Sequence, residues 1–160
     1  MLKLAGICIL LFTSILISRE LVAQRRRRLA LCEELLRFVC FLRLQIGCFL
    51  RPVPEVVAGF HSDELTACGF LPLRDDGDLA FAFSSSAAPD IVGAECAQVL
   101  TSLFSSLGSG YLDDEIRLID AHTSQLGQIV ELERVEAARQ ARLIRTLTAS
   151  ASLGLVILII

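Results

Sequence analysis

Side chains that usually carry chemistry are scarce in this sequence of 160 residues. It contains two histidines, one tyrosine and no tryptophan, and none of its six cysteines belongs to a Cys-x-x-Cys pair. Neither His61 nor His122 has a Cys, Ser or Asp at a spacing typical of a catalytic triad or a metal site. No glycine-rich loop resembles a phosphate cradle. We therefore predict no enzymatic activity, no cofactor and no metal site.

A strong excess of charge of either sign is also absent. The chain has 15 Lys or Arg and 18 Asp or Glu, which gives a net charge of −3 at pH 7. This balance does not favour a nucleic acid or an acidic substrate as the partner. The stretch Asp75-Asp76-Gly77-Asp78 lacks the ligand spacing and the closing Glu of an EF-hand, so we interpret it as a solvated turn and helix cap.

Long apolar runs are missing as well, yet two short ones bracket the chain, at 4–17 and 147–160. Hydrophobic residues make up 54% of the sequence and the mean hydropathy is +0.62, both high for a soluble domain. As a helix, each run covers about 21 Å, against about 30 Å of hydrocarbon in a bilayer. We interpret both as membrane segments that snorkelling neighbours and close packing with another helix help to hold.

Basic residues border both apolar runs on the side that faces the middle of the chain. They are Arg25, Arg26, Arg27, Arg28, Arg139, Arg142 and Arg145. Arginines beside a membrane span tend to stay in the cytoplasm, so both clusters hold the central region on that side. The predicted organisation is an N-terminal transmembrane anchor at 1–22, a cytoplasmic helical domain at 23–146 and a C-terminal transmembrane segment at 147–160, with both termini outside. No small-x-small cleavage site follows the first run, which favours an uncleaved anchor over a signal peptide.

We interpret the six cysteines as small buried side chains rather than as metal ligands. The cysteines are Cys8, Cys32, Cys40, Cys48, Cys68 and Cys96. Three of them are spaced by eight residues, and eight residues of helix turn about 80° past whole turns. Cys32 and Cys48 therefore differ by about 160° around a helix and cannot share one metal. Because we place the central region in a reducing cytoplasm, we expect no disulfides there.

The apolar spacing in the central region predicts helices. Residues 19–50 keep helical spacing through Leu29, Cys32, Leu36, Val39, Leu42 and Ile46. The apolar surface of this helix extends most of the way round, so the helix is either central to a bundle or covered by a partner. Shorter helices are predicted from Pro52 to Phe60, after a cap at Ser62 or Asp63, over Leu79–Phe83, and from Asp90 to Leu107 with Gly108 as a C-terminal cap.

The last helix is the longest predicted element. A heptad seam runs through Leu112, Ile116, Ile119, Thr123, Leu126 and Val130, and a charged stretch follows it. His122 lies beside the seam, so we expect it to be partly buried, and we expect His61 at the surface. The predicted fold is all-α: a membrane-anchored helical bundle whose long first and last helices pack antiparallel, with terminal transmembrane segments and the shorter helices at the far end.

Several local motifs resemble the stage III sporulation protein AB family of endospore-forming bacteria. The basic stretch after the first apolar run, the Ile46-Gly47 step and the segment Pro52-Val53-Pro54-Glu55-Val56 are similar to that family's pattern. So are Leu103 to Ser109, which includes Leu107 and Gly108, and the later Leu132-Glu133-Arg134. The similarity spans the chain, although Ser105 stands where the family usually has Gly, and the family's Trp near residues 79–83 is missing.

The resemblance implies a role in a channel complex between mother cell and forespore during sporulation. The family's soluble domain is similar to the cytoplasmic domain of the type II secretion inner-membrane platform protein. The protein would then be a scaffold in the mother-cell membrane that faces the forespore, with its central domain in the cytoplasm. It would join an assembly ATPase to the other channel subunits, without nucleic acid, and its self-association is left open.

Two alternatives come from other classes of protein. One is a membrane-anchored adaptor, or a sensor of a metal or small molecule, which would use the cysteines and His61. The other is a platform subunit of an ordinary type II secretion or pilus machine. Proteins of that kind resemble a duplicated version of this domain with more spans, and the single copy here counts against this alternative.

Overall fold

The computed structural model describes residues 2–73, 78–108 and 111–159, with side chains at 16, 19–73, 78–108, 111–144, 146, 147, 150 and 154. Every regular element in these ranges is helical, so the all-α prediction is confirmed. The elements are α1 (Leu2–Phe49), α2 (Val53–Ala58), α3 (Asp63–Ala67), α4 (Leu79–Ser85), α5 (Ala88–Val92), α6 (Ala94–Ser106) and α7 (Leu112–Ile159).

The chain divides into two compact units. The central unit is Arg28–Leu132, and the terminal unit combines Met1–Arg27 with Glu133–Ile160. Helices α1 and α7 contribute residues to both units. This division is not the predicted one at 22/23 and 146/147, which separates membrane from cytoplasm and stays a prediction.

No helix within the described residues is long and apolar enough to cross a membrane. Most side chains of the two predicted membrane segments, including that of Cys8, lie outside the described set.

A single apolar core holds the central unit together. Helix α1 buries Leu35, Phe38 and Leu42, while α6 buries Leu100 and α7 buries Leu126. The buried positions on each long helix recur at three and four residues because that spacing keeps one face toward the neighbours. Burial of such side chains is the main favourable term in folding, worth about 1.5–3 kcal/mol each.

Phenylalanines from five segments meet inside this core. The Phe70 ring stacks on that of Phe104 at 5.7 Å and meets those of Phe38 and Phe83 edge-on, at 5.5 and 5.8 Å. The Phe60 ring is 5.2 Å from that of Phe38. Edge-to-face and offset pairs suit the charge distribution of aromatic rings. These rings fix the α2–α4 region onto α1 and α6.

Helices α1 and α7 run antiparallel within the central unit. Arg43 Nε donates to Asp120 Oδ1 at 2.7 Å, and Arg43 Nη2 donates to Asp120 Oδ2 at 3.1 Å. One turn further along α1, a Cβ at Gly47 would lie 3.5 Å from the Ile116 side chain, one turn earlier on α7. The predicted antiparallel packing of the two long helices is confirmed for this unit.

One predicted helix is in fact two. The sequence predicts a helix from Asp90 to Leu107, but α5 ends at Val92 and α6 begins at Ala94, with Gly93 between them at φ +86°. That backbone conformation is accessible to glycine and cannot continue a right-handed helix. Asp90 therefore lies in the first turn of α5 and is not an N-cap, a position that Ala87 holds.

The other short helices follow the prediction closely. Ser62 caps α3, where its Oγ accepts from the Leu65 N–H at 3.4 Å. Asp78 caps α4 by accepting from the N–H groups of Ala80 and Phe81 at 2.9 and 3.2 Å. Within α4, Leu79 and Phe83 are buried one turn apart, as a helix rather than a strand requires. Asp75, Asp76 and Gly77 of the predicted turn lie outside the described residues.

Burial corrects several details of the long helices. Cys32, Cys68 and Cys96 are buried as predicted, whereas Cys40 and Cys48 are exposed. The predicted burial of those two is wrong because they lie on the face of α1 opposite Leu35 and Leu42. The Sγ atoms of Cys32 and Cys96 are 4.0 Å apart, a contact between thiols that packs α1 against α6. The predicted buried series also differ in detail from the structure, because Leu29 and Leu36 of α1 are half-buried and Leu112 at the start of α7 is exposed.

Candidate functional site

Two of the predicted motif residues meet in one surface depression. Pro52 follows α1 and Gly108 follows α6, and both line a depression of about 400 Å³. The other lining residues are Ile46, Leu50, Arg51, Val53, Leu112 and Glu115. We call this site the turn depression, because the α1–α2 and α6–α7 connections form it.

The end of α1 gives the turn depression its first wall. Leu50 has φ +52°, a left-handed conformation, and its N–H donates to the Ile46 carbonyl at 3.2 Å. A residue in this conformation ends a helix and satisfies one of its last carbonyls. Pro52 is then extended, at φ −65° and ψ 143°, and serves as the N-cap of α2. Three residues therefore connect α1 to α2, and the Leu50 side chain among them is exposed.

The start of α7 gives the second wall. Leu107 caps α6, and Gly108 follows at φ +84°. The Gly108 N–H donates to Glu115 Oε1 at 2.8 Å, which ties the end of α6 to the first turn of α7. A carboxylate is favourable at this position because the N-terminus of a helix is electropositive. Hydrogen bonds within the chain therefore fix the conformation of both motif segments, the one after α1 and the one after α6.

The surface around the turn depression is apolar with charged residues at its edge. Leu50 is 69% exposed, Phe49 59% and Leu112 39%. Arg51, Asp113 and Asp114 are exposed beside them. Contiguous exposed apolar side chains rimmed by polar residues are typical of protein interaction sites. Among the described residues that line the depression there is no histidine, cysteine or serine.

The remaining motif residues do not join this site. Gly47 is exposed on α1, Glu55 is exposed in the first turn of α2, and Leu107 is half-buried and does not line the depression. Pro54 lines a different depression, together with Val57 and Phe60. Sequence reasoning missed Leu50 and Leu112 because an exposed apolar residue at a helix end has the same local pattern as a buried one.

The predicted membrane-flanking arginines whose side chains the structure describes lie in three different settings. Arg26, Arg27, Arg139 and Arg142 are exposed. Arg25 Nη1 donates to Glu136 Oε2 at 2.9 Å within the terminal unit, so this cation is paired. Arg28 packs in the central unit, where its Nη2 lies 2.8 Å from the position that a Cβ on Gly93 would take. The side chain of Arg145 lies outside the described residues.

Charge is segregated between the two units. The terminal unit contains nine Lys or Arg and three Asp or Glu, a net charge of +6, and the central unit contains six and fifteen, a net charge of −9. Together they give the −3 of the whole chain. The net charge of the whole sequence is small because the charges of a basic unit and an acidic unit largely cancel.

The histidines lie where the sequence predicts. His122 is half-buried, and its Nδ1 is 2.9 Å from the Leu118 carbonyl oxygen one turn earlier on α7. His61 is exposed. Within the described residues, no three or more His, Cys, Asp or Glu side chains come together in a way that could hold a metal ion.

One ion pair shows a clear electrostatic effect. The hydrogen bonds that Arg43 donates to Asp120 lower the pKa of that carboxyl. Both side chains are about half exposed, so the effect is local and screened by solvent.

Comparison with family models, curated proteins and solved structures finds no match for this chain.

Proposed function

We propose that this chain is a non-enzymatic membrane scaffold, the platform subunit of a secretion-like channel complex between mother cell and forespore. The charge segregation supports this proposal most directly. A basic unit that contains both chain ends suits an anionic membrane surface, where each Lys or Arg near the headgroups is worth about 1 kcal/mol. The acidic central unit suits a protein partner on the cytoplasmic side.

The membrane part of the proposal assigns the two terminal apolar segments to anchors. Segments 4–17 and 147–160 are the most apolar stretches of the sequence, and exposed arginines lie next to them toward the middle of the chain. Such arginines favour the cytoplasmic side. The exposed Arg26, Arg27, Arg139 and Arg142 would then contact headgroups.

The partner part of the proposal assigns the turn depression to an assembly ATPase. Its exposed Leu50 and Leu112 supply apolar area, and Arg51, Asp113 and Asp114 supply a charged edge. Interfaces of this composition bury the apolar centre and keep the rim polar. The other channel subunits would bind elsewhere on the chain.

Membrane attachment is tested first with the full-length chain. We expect it to float with vesicles of phosphatidylcholine and phosphatidylglycerol in a density gradient and to resist extraction by alkaline carbonate. Release by carbonate would show a peripheral protein and overturn the anchored topology.

Partner binding is tested with the candidate ATPase of the same organism, against the full chain in nanodiscs. Leu112→Glu should weaken binding about tenfold, since it places a charge in the apolar centre. Leu132→Glu is the matched control on the same helix, because Leu132 is also exposed. Equal losses in both variants, or no binding of the wild type, would exclude the turn depression as the ATPase site.

The biological role is tested by deleting the gene in the source organism. We expect a block in spore formation after engulfment with normal vegetative growth, scored as heat-resistant spores and by imaging. Unchanged spore counts would reject the channel role and leave a membrane scaffold of another system.

A further inference from the structure

A second surface with apolar side chains lies in the central unit, formed by the segments around α2, α3 and α4. One depression of about 470 Å³ is lined by Val57, Phe60 and Leu71, among others. A second, of about 450 Å³, is lined by Phe70, Phe81 and Ala82, among others. Pro72 and Leu73 line both, so the two depressions adjoin across these two residues.

The floor of these depressions is packed into the core of the central unit. Phe60 and Phe70 belong to the phenylalanine cluster of the core, and Phe70 is fully buried. After α3, Gly69 at φ +78° forms a Schellman turn, in which the Phe70 N–H donates to the Leu65 carbonyl at 3.0 Å and the Gly69 N–H donates to the Thr66 carbonyl at 3.1 Å. A preformed floor reduces the ordering cost of binding a ligand.

One large apolar side chain at this surface lacks cover. Phe81 is 65% exposed, although its neighbours two residues away, Leu79 and Phe83, are buried. On α4 it points away from the core, into the second depression. An exposed phenylalanine that lines a preformed depression is typical of a surface that another molecule covers.

The rim of both depressions is acidic. Asp63 lines the first and Asp78 lines the second, and no Lys or Arg is among the described residues that line either. Asp78 Oδ1 accepts hydrogen bonds from the Ala80 and Phe81 N–H groups, and these bonds fix the carboxylate in place. Over residues 52–73 and 78–108 there are six Asp or Glu and no Lys or Arg. The Arg37 guanidinium lies 5.5 Å from the centroid of the Phe60 ring, so one cation is present beside the first depression. The excess of acidic residues over these ranges still favours a cationic partner.

We propose that the two depressions form one groove that binds a basic and apolar segment of a partner protein. Apolar side chains of the segment occupy the depressions on either side of Pro72 and Leu73 and cover Phe81. Its Lys or Arg side chains pair with Asp63 and Asp78. The groove needs neither the membrane anchors nor the turn depression, so it goes beyond the proposed platform role.

The test uses the full chain in phosphatidylcholine nanodiscs and a short fluorescein-labelled peptide that alternates Leu or Phe with Lys or Arg. Anisotropy measures its binding, with empty nanodiscs as the blank. We expect saturable binding that weakens as salt is raised, since salt screens the exposed pairs. Peptides with Glu in place of the basic residues, or Ser in place of the apolar ones, should not bind.

Paired variants distinguish the groove from general attraction to an acidic protein. Asp63→Lys and Phe81→Ser should each weaken binding of the basic apolar peptide about tenfold, and Asp63→Asn should weaken it less. Glu95→Lys and Leu132→Ser are the matched controls, an exposed acid on α6 and an exposed leucine on α7, and should leave binding unchanged. Circular dichroism checks that each variant is folded.

Two results would overturn the proposal. The first is the absence of peptide binding at about 1 mM, the weak end of measurable affinities. The second is an equal loss of binding in the control variants, which would show attraction to overall negative charge. Neither result bears on flotation or on ATPase binding, so failure of the groove and failure of the platform role are distinguishable.

Discussion

At the scale of single residues, three of the glycines that the structure describes in the central unit have positive φ, and they differ in what surrounds them. Gly69 and Gly108 have open space where a Cβ would be, whereas Gly93 has the Arg28 guanidinium there. Gly127, in the middle of α7, has ordinary helical geometry and open space. This set separates the cost of backbone conformation from the cost of a steric clash.

Substitution of these glycines by alanine should therefore give a defined order of stability. Gly69→Ala should cost about 1 kcal/mol from the backbone alone. Gly93→Ala should cost more, because the Cβ would meet Arg28 Nη2 at 2.8 Å. Gly127→Ala should stabilise by about 0.5–1 kcal/mol. Urea denaturation measures all three, and equal costs at Gly69 and Gly93 would show that Arg28 moves aside freely.

The ion pair of Arg43 with Asp120 predicts a pH dependence of stability. The folded state lowers the pKa of Asp120, so the pair contributes above the ordinary pKa of about 4 and is lost as pH falls through the lowered value. At neutral pH the wild type should therefore have a higher free energy of unfolding than the Asp120→Asn variant. This difference should disappear at acidic pH. In an Arg43→Gln background the same substitution should leave no pH-dependent gap. If a pH-dependent difference in the free energy of unfolding persists in the Arg43→Gln background, the pH dependence comes from another group.

At the scale of elements, the end of α1 combines an unfavourable backbone with an exposed apolar side chain. Leu50 is a non-glycine residue with positive φ, in a position where helices commonly have Gly. Nothing in the fold requires leucine there, because the side chain is 69% exposed. The proposed ATPase contact gives a reason for leucine at this place.

Leu50→Gly should therefore raise stability and lower partner binding. Relief of the left-handed conformation should stabilise the chain by about 1 kcal/mol, seen as a higher thermal midpoint. Leu44→Gly, inside α1 at a side chain 47% exposed, is the control and should destabilise by about 1 kcal/mol. Weaker binding of the ATPase by the more stable Leu50→Gly variant would separate binding from folding. Unchanged binding would remove Leu50 from the interface.

At the scale of the whole molecule, the phenylalanine cluster joins segments that are distant in sequence. Phe38 belongs to α1, Phe83 to α4 and Phe104 to α6, and Phe70 contacts all three rings. The central unit therefore depends on Phe70, which no helix contains.

Phe70→Ala should destabilise the central unit by about 3–5 kcal/mol, through lost burial and the cavity it leaves. Phe81→Ala is the matched control, and because Phe81 is 65% exposed its cost should stay within about 0.5 kcal/mol. Thermal and urea denaturation measure both. Similar costs for the two would mean that Phe81 is covered in the folded chain.

Much of the secondary structure could be predicted from the sequence because it depends on local rules. The periodicity of α1 and α7, the caps at Ser62 and Asp78 and the helix over Leu79–Phe83 all follow from neighbours within one or two turns. The break at Gly93 could not be predicted in this way, since a glycine inside a helical pattern is often tolerated. Its conformation depends on how α5 and α6 pack.

The sequence by itself determined that the chain is helical, where the long helices lie and which stretches are apolar or basic. Only the tertiary structure decided which faces of α1 are covered, and so left Cys40 and Cys48 exposed while Cys32 was buried. It also brought Pro52 to Gly108 and joined two depressions across Pro72 and Leu73. The physical reason is that helix formation depends on contacts within a few residues, whereas burial and the shape of a surface depend on contacts between segments far apart in the sequence.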